Sequence, residues 1–214
     1  MVLGIETAGE RGGAALVSPR GEHEFFLPIG RAGGEALPAV VESLLGLAKA
    51  KREEIRLIAV DIGPGSFTGL RIGVAFAKGM AQALGVPMVG VRQTEAVGRP
   101  LSWWPGRVGV WIHDRREFVY SAWVTSDRVG TETVLPWPEA LAQAREHDGT
   151  LLVGSGVVRF WDEIRAAAPG IACAPAVVAY PRPSEIARLG LARLQSSGPD
   201  DPRQLEPHYV HKEG

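Results

Sequence analysis

The sequence predicts an α/β protein of two small domains, each built from three strands, a helix, a strand and a helix. Short apolar runs alternate with longer segments that have apolar residues at helical spacing, and their order in the first half of the chain is βββαβα. The same order recurs in the second half, without sequence identity between the halves. A duplicated architecture explains this recurrence, and one continuous open sheet is the alternative.

The first domain is predicted over residues 1–99 and begins with a short apolar strand. Pro38 is tolerated in the first turn of the first helix, and Gly85 ends the second helix because glycine readily adopts the left-handed backbone. The predicted strands are Met1–Glu6, Ala14–Val17, Glu22–Ile29, Leu57–Ile62 and Met88–Val91, and the predicted helices are Glu35–Ala50 and about Leu70–Leu84.

The second domain is predicted over residues 100–214, after a segment (98–106) with the proline and glycine content of a hinge. Its predicted strands are Val108–Ile112, Glu117–Val124, Val129–Leu135 and Thr150–Val153, and its predicted helices are Pro138–Glu146, Val157–Ala168 and Ser184–Leu194. The last helix precedes a polar tail, and both are assigned to this domain.

The composition excludes several classes of protein. The 23 basic and 24 acidic residues nearly cancel, so no overall attraction to nucleic acid is expected. A single cysteine, Cys173, excludes an internal disulfide, and no Cys/His spacing typical of zinc sites is present. No apolar run reaches membrane-spanning length, and none precedes the first strand, so we expect a cytoplasmic protein without a membrane partner.

A glycine-rich turn, GPGSFTGLR over residues 63–71, joins a predicted strand to a helix. Backbone N–H groups gather at such a helix start and suit a phosphate or another anion, and Ser66 or Thr68 can cap the helix. Thr7 and Gly65 complete the candidate anion or nucleotide site. The turn is neither a Walker A loop nor a dinucleotide fingerprint, because no Lys-Ser/Thr follows and the third glycine is one position late. A tight turn that only starts the helix fits the spacing equally well.

The helix after this turn has two unusual ridges. Small residues recur every four positions and leave one ridge almost bare, and bulky apolar residues form the next ridge. The helix is either wholly internal or shared with a partner subunit, together with the helix Glu35–Ala50. The second interpretation predicts that Ala77→Arg abolishes a heterodimer, and loss of folding would indicate an internal ridge. The residues predicted to bind a partner are Leu37, Val40, Val41, Leu44, Gly69, Ile72, Gly73, Phe76, Ala77 and Met80.

Catalytic motifs are scarce, and we predict no catalytic residue and no metal site. The five histidines form no HExxH pattern, and no GxSxG motif occurs. Glu6 and Asp61 each end a predicted strand and could together hold a metal–nucleotide complex at the strand ends. The favoured interpretation is that such a carboxylate closes a turn or caps a helix.

The chain resembles the TsaB family, also called YeaZ, the bacterial partner subunit in threonylcarbamoyladenosine modification of tRNA. The resemblance rests on GPGSFTGLRIGVAFAKGMA (63–81), which is close to the family's signature. VLGIETAG (2–9), DRREFVYSAW (114–123) and LEPHYV (205–210) extend it over nearly the whole chain. The sequence departs from the family pattern at Glu6, where family members usually have Asp.

The resemblance implies an actin-like fold (ASKHA, ribonuclease H-like) and a scaffold without activity or cofactor of its own. The chain would activate a TsaD-like catalytic subunit, which transfers the threonylcarbamoyl group to the adenosine next to the anticodon (t6A) in tRNAs reading codons that begin with A. A TsaE-like ATPase would join, tRNA would be contacted indirectly, and the chain alone would form a homodimer. Both dimers would use the first-domain helices Glu35–Ala50 and Leu70–Leu84.

Two other functions compete with the scaffold. The first is an actin-like ATPase or kinase that binds a nucleotide–metal complex in the interdomain cleft, with the turn 7–13 on the phosphates and Asp61 near the metal. The second is a direct tRNA-binding module, which the near-neutral charge disfavours.

Overall fold

A computed structural model describes residues 1–28, 33–125 and 128–210. The chain forms two compact units. The first unit comprises Met1–Gln93 and Pro181–His208, and the second comprises Thr94–Tyr180 with the described residues from Tyr209 onward. Within the described part of the chain, no helix has the length and apolar character needed to cross a bilayer.

The first unit is organised around a five-stranded sheet. Its first three strands form an antiparallel meander, and the first, fourth and fifth strands are parallel to one another. In chain order the strands are β1 (Val2–Glu6), β2 (Arg11–Ser18), β3 (Gly21–Pro28), β4 (Leu57–Gly63) and β5 (Met88–Arg92). They lie side by side in the order β3-β2-β1-β4-β5, so β1 and β4 occupy the centre.

Two helices, α1 (Gly33–Ala48) and α2 (Phe67–Leu84), cover one face of this sheet. The Ser66 hydroxyl accepts a hydrogen bond from the Gly69 N–H at 3.2 Å and thereby caps the start of α2. Gly85 ends α2 in the left-handed conformation with φ of 63°, as the sequence predicted. The helix begins three residues earlier than predicted, since the cap lies at Ser66.

The second unit repeats the architecture of the first. Its strands are β6 (Val108–His113), β7 (Phe118–Val124), β8 (Thr133–Pro136), β9 (Leu151–Val153) and β10 (Ala172–Cys173). They lie in the order β10-β9-β6-β7-β8, with β6, β7 and β8 antiparallel and β6, β9 and β10 parallel. Read from the other edge, this is the order of the first sheet, so the duplicated plan is confirmed and the single continuous sheet is wrong.

The helices of the second half are short. They are α3 (Gln93–Gly98), α4 (Trp137–Arg145), α5 (Ser155–Arg159) and α6 (Trp161–Ala167). The helix predicted over Val157–Ala168 is divided at Phe160, whose backbone (φ −108°, ψ 26°) is not helical. Its ring stacks on Trp137 with 5.6 Å between centroids, so side-chain packing accompanies the break.

The final helix, α7 (Pro183–Ser197), packs on the first sheet and belongs to the first unit, which corrects the domain assignment made from sequence. It lies on the face opposite α1 and α2, because Gly4 faces α7 while its neighbours Leu3 and Ile5 face the other helices. A Cβ atom added to Gly4 would lie 2.1 Å from the Pro183 carbonyl oxygen. Only glycine at position 4 lets the backbone at the start of α7 come this close to β1.

The segment after α7 covers the open edge of β5. The Asp200 N–H donates to the Met88 carbonyl at 3.0 Å, and the Gly90 N–H donates to Asp200 Oδ2 at 2.8 Å. The tail therefore satisfies backbone groups that an edge strand would otherwise expose.

Asp200→Ala is expected to lower the free energy of unfolding by about 1–3 kcal/mol, because the Gly90 N–H loses a charged acceptor. Asp201→Ala is the matched control, since Asp201 Oδ1 accepts its hydrogen bond from the exposed Arg203 N–H. We expect that control to change stability by less than about 0.5 kcal/mol. Urea denaturation of both variants checks the prediction, and equal losses would contradict it.

Candidate functional site

Two turns meet at the carboxyl ends of the central strands. The turn after β1 is Thr7–Gly9, and the turn 63–66 precedes α2. The Thr7 hydroxyl donates to the Gly69 carbonyl at 2.8 Å, and the Ser66 N–H donates to the Ala8 carbonyl at 2.8 Å. The first turn and the start of α2 are therefore bonded directly to each other.

Small residues permit this contact. A Cβ atom on Gly69 would lie 1.9 Å from the Thr7 carbonyl oxygen, and one on Gly73 would lie 2.1 Å from the Thr7 hydroxyl oxygen. Gly65 is held similarly, since a Cβ atom there would lie 2.6 Å from the Ala8 carbonyl oxygen. The bare ridge of α2 thus faces the protein's own first turn.

Glu6 and Asp61 lie beside each other under these turns. The register pairs Ile5 with Val60, so the two carboxyl groups follow at adjacent positions of parallel strands. Both residues are 0% exposed. Glu6 Oε1 accepts the N–H groups of Ala8 at 2.8 Å and Gly9 at 2.7 Å. These bonds close the first turn, as the sequence analysis favoured.

Asp61 closes the second turn in the same way. Its Oδ1 accepts the Gly63 N–H at 2.6 Å, and its Oδ2 accepts a hydrogen bond from Gln93 Nε2 at 3.2 Å. Glu6 Oε2, in contrast, receives no hydrogen bond from any described residue. Three of the four carboxyl oxygens are thus occupied by donors from the chain itself.

Burial raises the pKa of both carboxyl groups, and it raises the pKa of Glu6 more strongly because the neighbouring Asp61 charge and hydrogen bond add to the effect. The described residues include no group of three or more His, Cys, Asp or Glu side chains arranged to hold a metal ion. What the hydrogen bonds of the pair do is close the two turns.

The candidate anion-binding residues are only partly brought together. Thr7, Gly65 and Ser66 lie where the two turns meet, and the Thr7 and Ser66 hydroxyls already bond to Gly69. Thr68 lies on the exposed first turn of α2. Anion binding at these four residues stays a prediction.

The candidate partner-binding residues divide into two groups. The seven that are buried in the first unit have side chains that cannot reach a partner in the folded chain: Leu37, Val40, Val41, Leu44, Gly69, Gly73 and Ala77. The other three are half-buried at the edge of the core: Ile72, Phe76 and Met80. The internal interpretation of the small-residue ridge is therefore correct, because that ridge packs on the first turn and the sheet.

The exposed sides of α1 and α2 form a different surface, which we call the outer face. On α2 it comprises Phe67, Arg71, Ala75 and Gly79, and on α1 it comprises Ala39, Ser43, Gly46 and Leu47. The two helices contact each other on the same side of the sheet. Sequence patterns alone did not predict this surface, although glycines within helices, such as Gly46 and Gly79, are a signal that could have pointed to it.

Large side chains and open space alternate on this outer face. Phe67 is 54% exposed and Leu47 is 57% exposed, and the Arg71 guanidinium lies 3.9 Å from the centre of the Phe67 ring. A Cβ atom on Gly46 or Gly79 would meet no atom of the described residues within 4 Å. Packing among the described residues therefore does not require either glycine.

Comparison with known proteins relates residues 30–136 to one family. They match the family model described as "TsaD: tRNA N6-adenosine threonylcarbamoyltransferase". The tRNA threonylcarbamoyladenosine biosynthesis protein TsaB of Escherichia coli is 33% identical over 90 residues, which are 42% of this chain and 39% of that protein. A tRNA N6-adenosine threonylcarbamoyltransferase of Chelativorans is 34% identical over 141 residues, covering 56% of this chain and 36% of the enzyme.

Two solved structures share the fold over almost the whole chain. YeaZ from Pseudomonas aeruginosa has a TM-score of 0.80 at 23% identity, and a second protein, described as similar to peptidase YeaZ, has a TM-score of 0.81 at 24% identity. Each alignment covers 98% of this chain and 99% of the other. The chain spans about two fifths or less of the length of the curated relatives. The duplicated α/β architecture is that of the actin-like fold class.

Proposed function

The chain belongs to the TsaD/TsaB (YeaZ) family, and on this basis we propose that it is a non-catalytic subunit required for threonylcarbamoyl modification of tRNA in the cytoplasm. It acts by binding a TsaD-type catalytic subunit through the outer face of α1 and α2. A TsaE-type ATPase joins this assembly, and tRNA is reached through the catalytic subunit. The isolated chain uses the same face to form a homodimer.

The observation that carries this proposal is the pair of exposed glycines. A glycine inside a helix lowers helix stability by about 0.5–1 kcal/mol relative to alanine. Gly79 incurs this cost in the interior of α2, and Gly46 lies in the last turn of α1, although a Cβ atom would fit at either position. A partner whose backbone approaches the helices closely explains why both positions lack a side chain.

The rest of the outer face has the composition of a binding surface. Phe67 and Leu47 are each more than half exposed, and Arg71 is held against the Phe67 ring. Exposed aromatic and arginine side chains are the residue types that contribute most to protein–protein affinity. Half-buried Ile72, Phe76 and Met80 line the base of this surface and keep their predicted role.

The centre of the first unit supports an accessory role. The carboxyl groups at the ends of β1 and β4 accept hydrogen bonds from the chain's own turns, and the Thr7 hydroxyl, which a nucleotide site would use, donates to Gly69. A net charge of −1 gives the chain no general attraction to tRNA.

Reconstitution tests the proposal. The chain and a TsaD-type paralogue from the same organism are purified separately and together, and threonylcarbamoyladenosine in tRNA is quantified by mass spectrometry. We expect modification only when both proteins and the ATPase are present, and co-elution of the two paralogues. Hydrolysis of ATP by the isolated chain, with micromolar binding in calorimetry, would instead support the kinase or ATPase alternative.

A further inference from the structure

We propose that Glu6 and Asp61 share one proton, and that this proton locks together the two turns that set the start of α2, so that partner docking weakens when the proton is lost at alkaline pH. The docking clause rests on the proposed function. The proton lock itself is a property of the isolated chain.

The position and burial of the Glu6 and Asp61 carboxyl groups indicate that they share a proton. The two carboxyl groups stand side by side on adjacent parallel strands and are fully buried. Two carboxylates in such surroundings repel each other and lose their hydration, so one of them keeps a proton. Gln93, which faces the pair from the end of β5, is a neutral amide.

The charged residues on the elements packed around the pair lie closer to solvent. Glu10 and Arg11 follow the first turn, Arg92 ends β5 and Arg71 projects from α2 over Phe67. On the tail, His208 donates its backbone N–H to the Ile62 carbonyl at 2.7 Å. Each of these five titratable residues is at least partly exposed. Burial and the carboxyl partner are what raise the pKa of Glu6.

The donors around the pair locate the proton. Glu6 Oε1 takes two backbone N–H groups, and each Asp61 oxygen takes one donor. Glu6 Oε2 is the one oxygen of the four that no described donor reaches. A proton on this oxygen gives it a hydrogen bond to Asp61 and leaves every other bond unchanged.

A series of hydrogen bonds connects the carboxyl pair to α2, the helix that carries part of the outer face. Glu6 Oε1 accepts the N–H groups of Ala8 and Gly9. The Ala8 carbonyl in turn accepts the N–H of Ser66, and the Ser66 side chain caps α2. Asp61 holds Gly63 at the other end of the second turn. Phe67 is the first residue of α2 and part of the outer face, so its position depends on both turns.

Glu6→Gln is the decisive variant, because the introduced amide keeps the acceptor for the first turn and donates permanently to Asp61. Infrared spectra of the isolated wild-type chain at neutral pH should show a protonated carboxyl band, and the variant should lack it. As pH rises through the raised pKa of Glu6, hydrogen exchange at Gly9, Gly63 and Gly69 should accelerate beyond the intrinsic base-catalysed rate in the wild type alone. Glu53→Gln, at an exposed carboxyl, should behave as the wild type does.

The sign of the pH effect follows from the raised pKa. The folded chain binds more protons than the unfolded chain, so the stability contribution of the pair is fully present at acidic pH and is lost as pH rises through the raised pKa. The wild type should lose up to about tenfold in folding equilibrium constant per pH unit in that window, and Glu6→Gln should not.

Partner affinity is measured separately by calorimetry with the TsaD-type subunit. We expect affinity to fall with pH for the wild type and to stay constant for Glu6→Gln. A missing carboxyl band in the wild type, or identical exchange profiles in wild type and Glu6→Gln, would overturn the lock. If Glu6→Gln does not fold, the same exchange measurement on Asp61→Asn, together with the infrared band of the wild type, tests the shared proton. Absence of any partner binding, with the band present, would contradict the proposed function and leave the lock established.

Discussion

Gly69→Ala is expected to lower the free energy of unfolding by more than about 3 kcal/mol or to abolish folding. The added methyl group would lie 1.9 Å from the Thr7 carbonyl oxygen, which is backbone and cannot rotate away as a side chain could. Relief requires α2 to move from the first turn, which breaks the bonds from Thr7 to Gly69 and from Ser66 to Ala8. Urea denaturation followed by circular dichroism measures the loss.

Gly79→Ala is the matched control in the same helix. A Cβ atom there meets no described atom within 4 Å, so we expect the free energy of unfolding to rise by about 0.5–1 kcal/mol. Opposite signs from the same chemical change would establish that α2 packs internally on one side and is unpartnered on the other. Similar effects of the two substitutions would contradict the orientation of the helix.

Gly79→Arg and Ala75→Arg are expected to reduce affinity for a TsaD-type subunit by about a hundredfold or more while the chain stays folded. Both positions lie on the outer face of α2, where a large charged side chain prevents close approach of a partner but displaces no described residue. Calorimetric titration measures the affinity, and thermal unfolding verifies the fold.

Ala77→Arg separates the outer face from the buried ridge. Ala77 is fully buried, so we expect this substitution to abolish folding, because an arginine in the core is both too large and uncompensated in charge. Ala142→Arg, on the exposed side of α4, is a control that should change neither affinity nor stability. Unchanged affinity in both Gly79→Arg and Ala75→Arg would refute docking at the outer face.

Local sequence signals were enough to predict the duplicated plan, because apolar periodicity and turn residues act over short stretches of chain. Gly85 ends α2 as predicted, and the strands around Leu57–Gly63 and Val108–His113 lie close to their predicted bounds. The signature from Gly63 to Ala81 pointed to the family through residue identity alone. The role of a carboxyl group was also foreseen, since Glu6 closes a turn through its own backbone neighbours.

The direction in which α2 faces and the unit to which α7 belongs depend on tertiary contacts. Small residues at intervals of four are compatible with packing either on the protein's own core or on a partner. The contact of Gly69 with Thr7, 62 residues away in sequence, shows that this side of α2 packs on the core. Gly4 lets α7 pack closely on the first sheet, although the two segments are separated by more than half the length of the chain. Such choices depend on contacts between distant segments, which local periodicity does not encode.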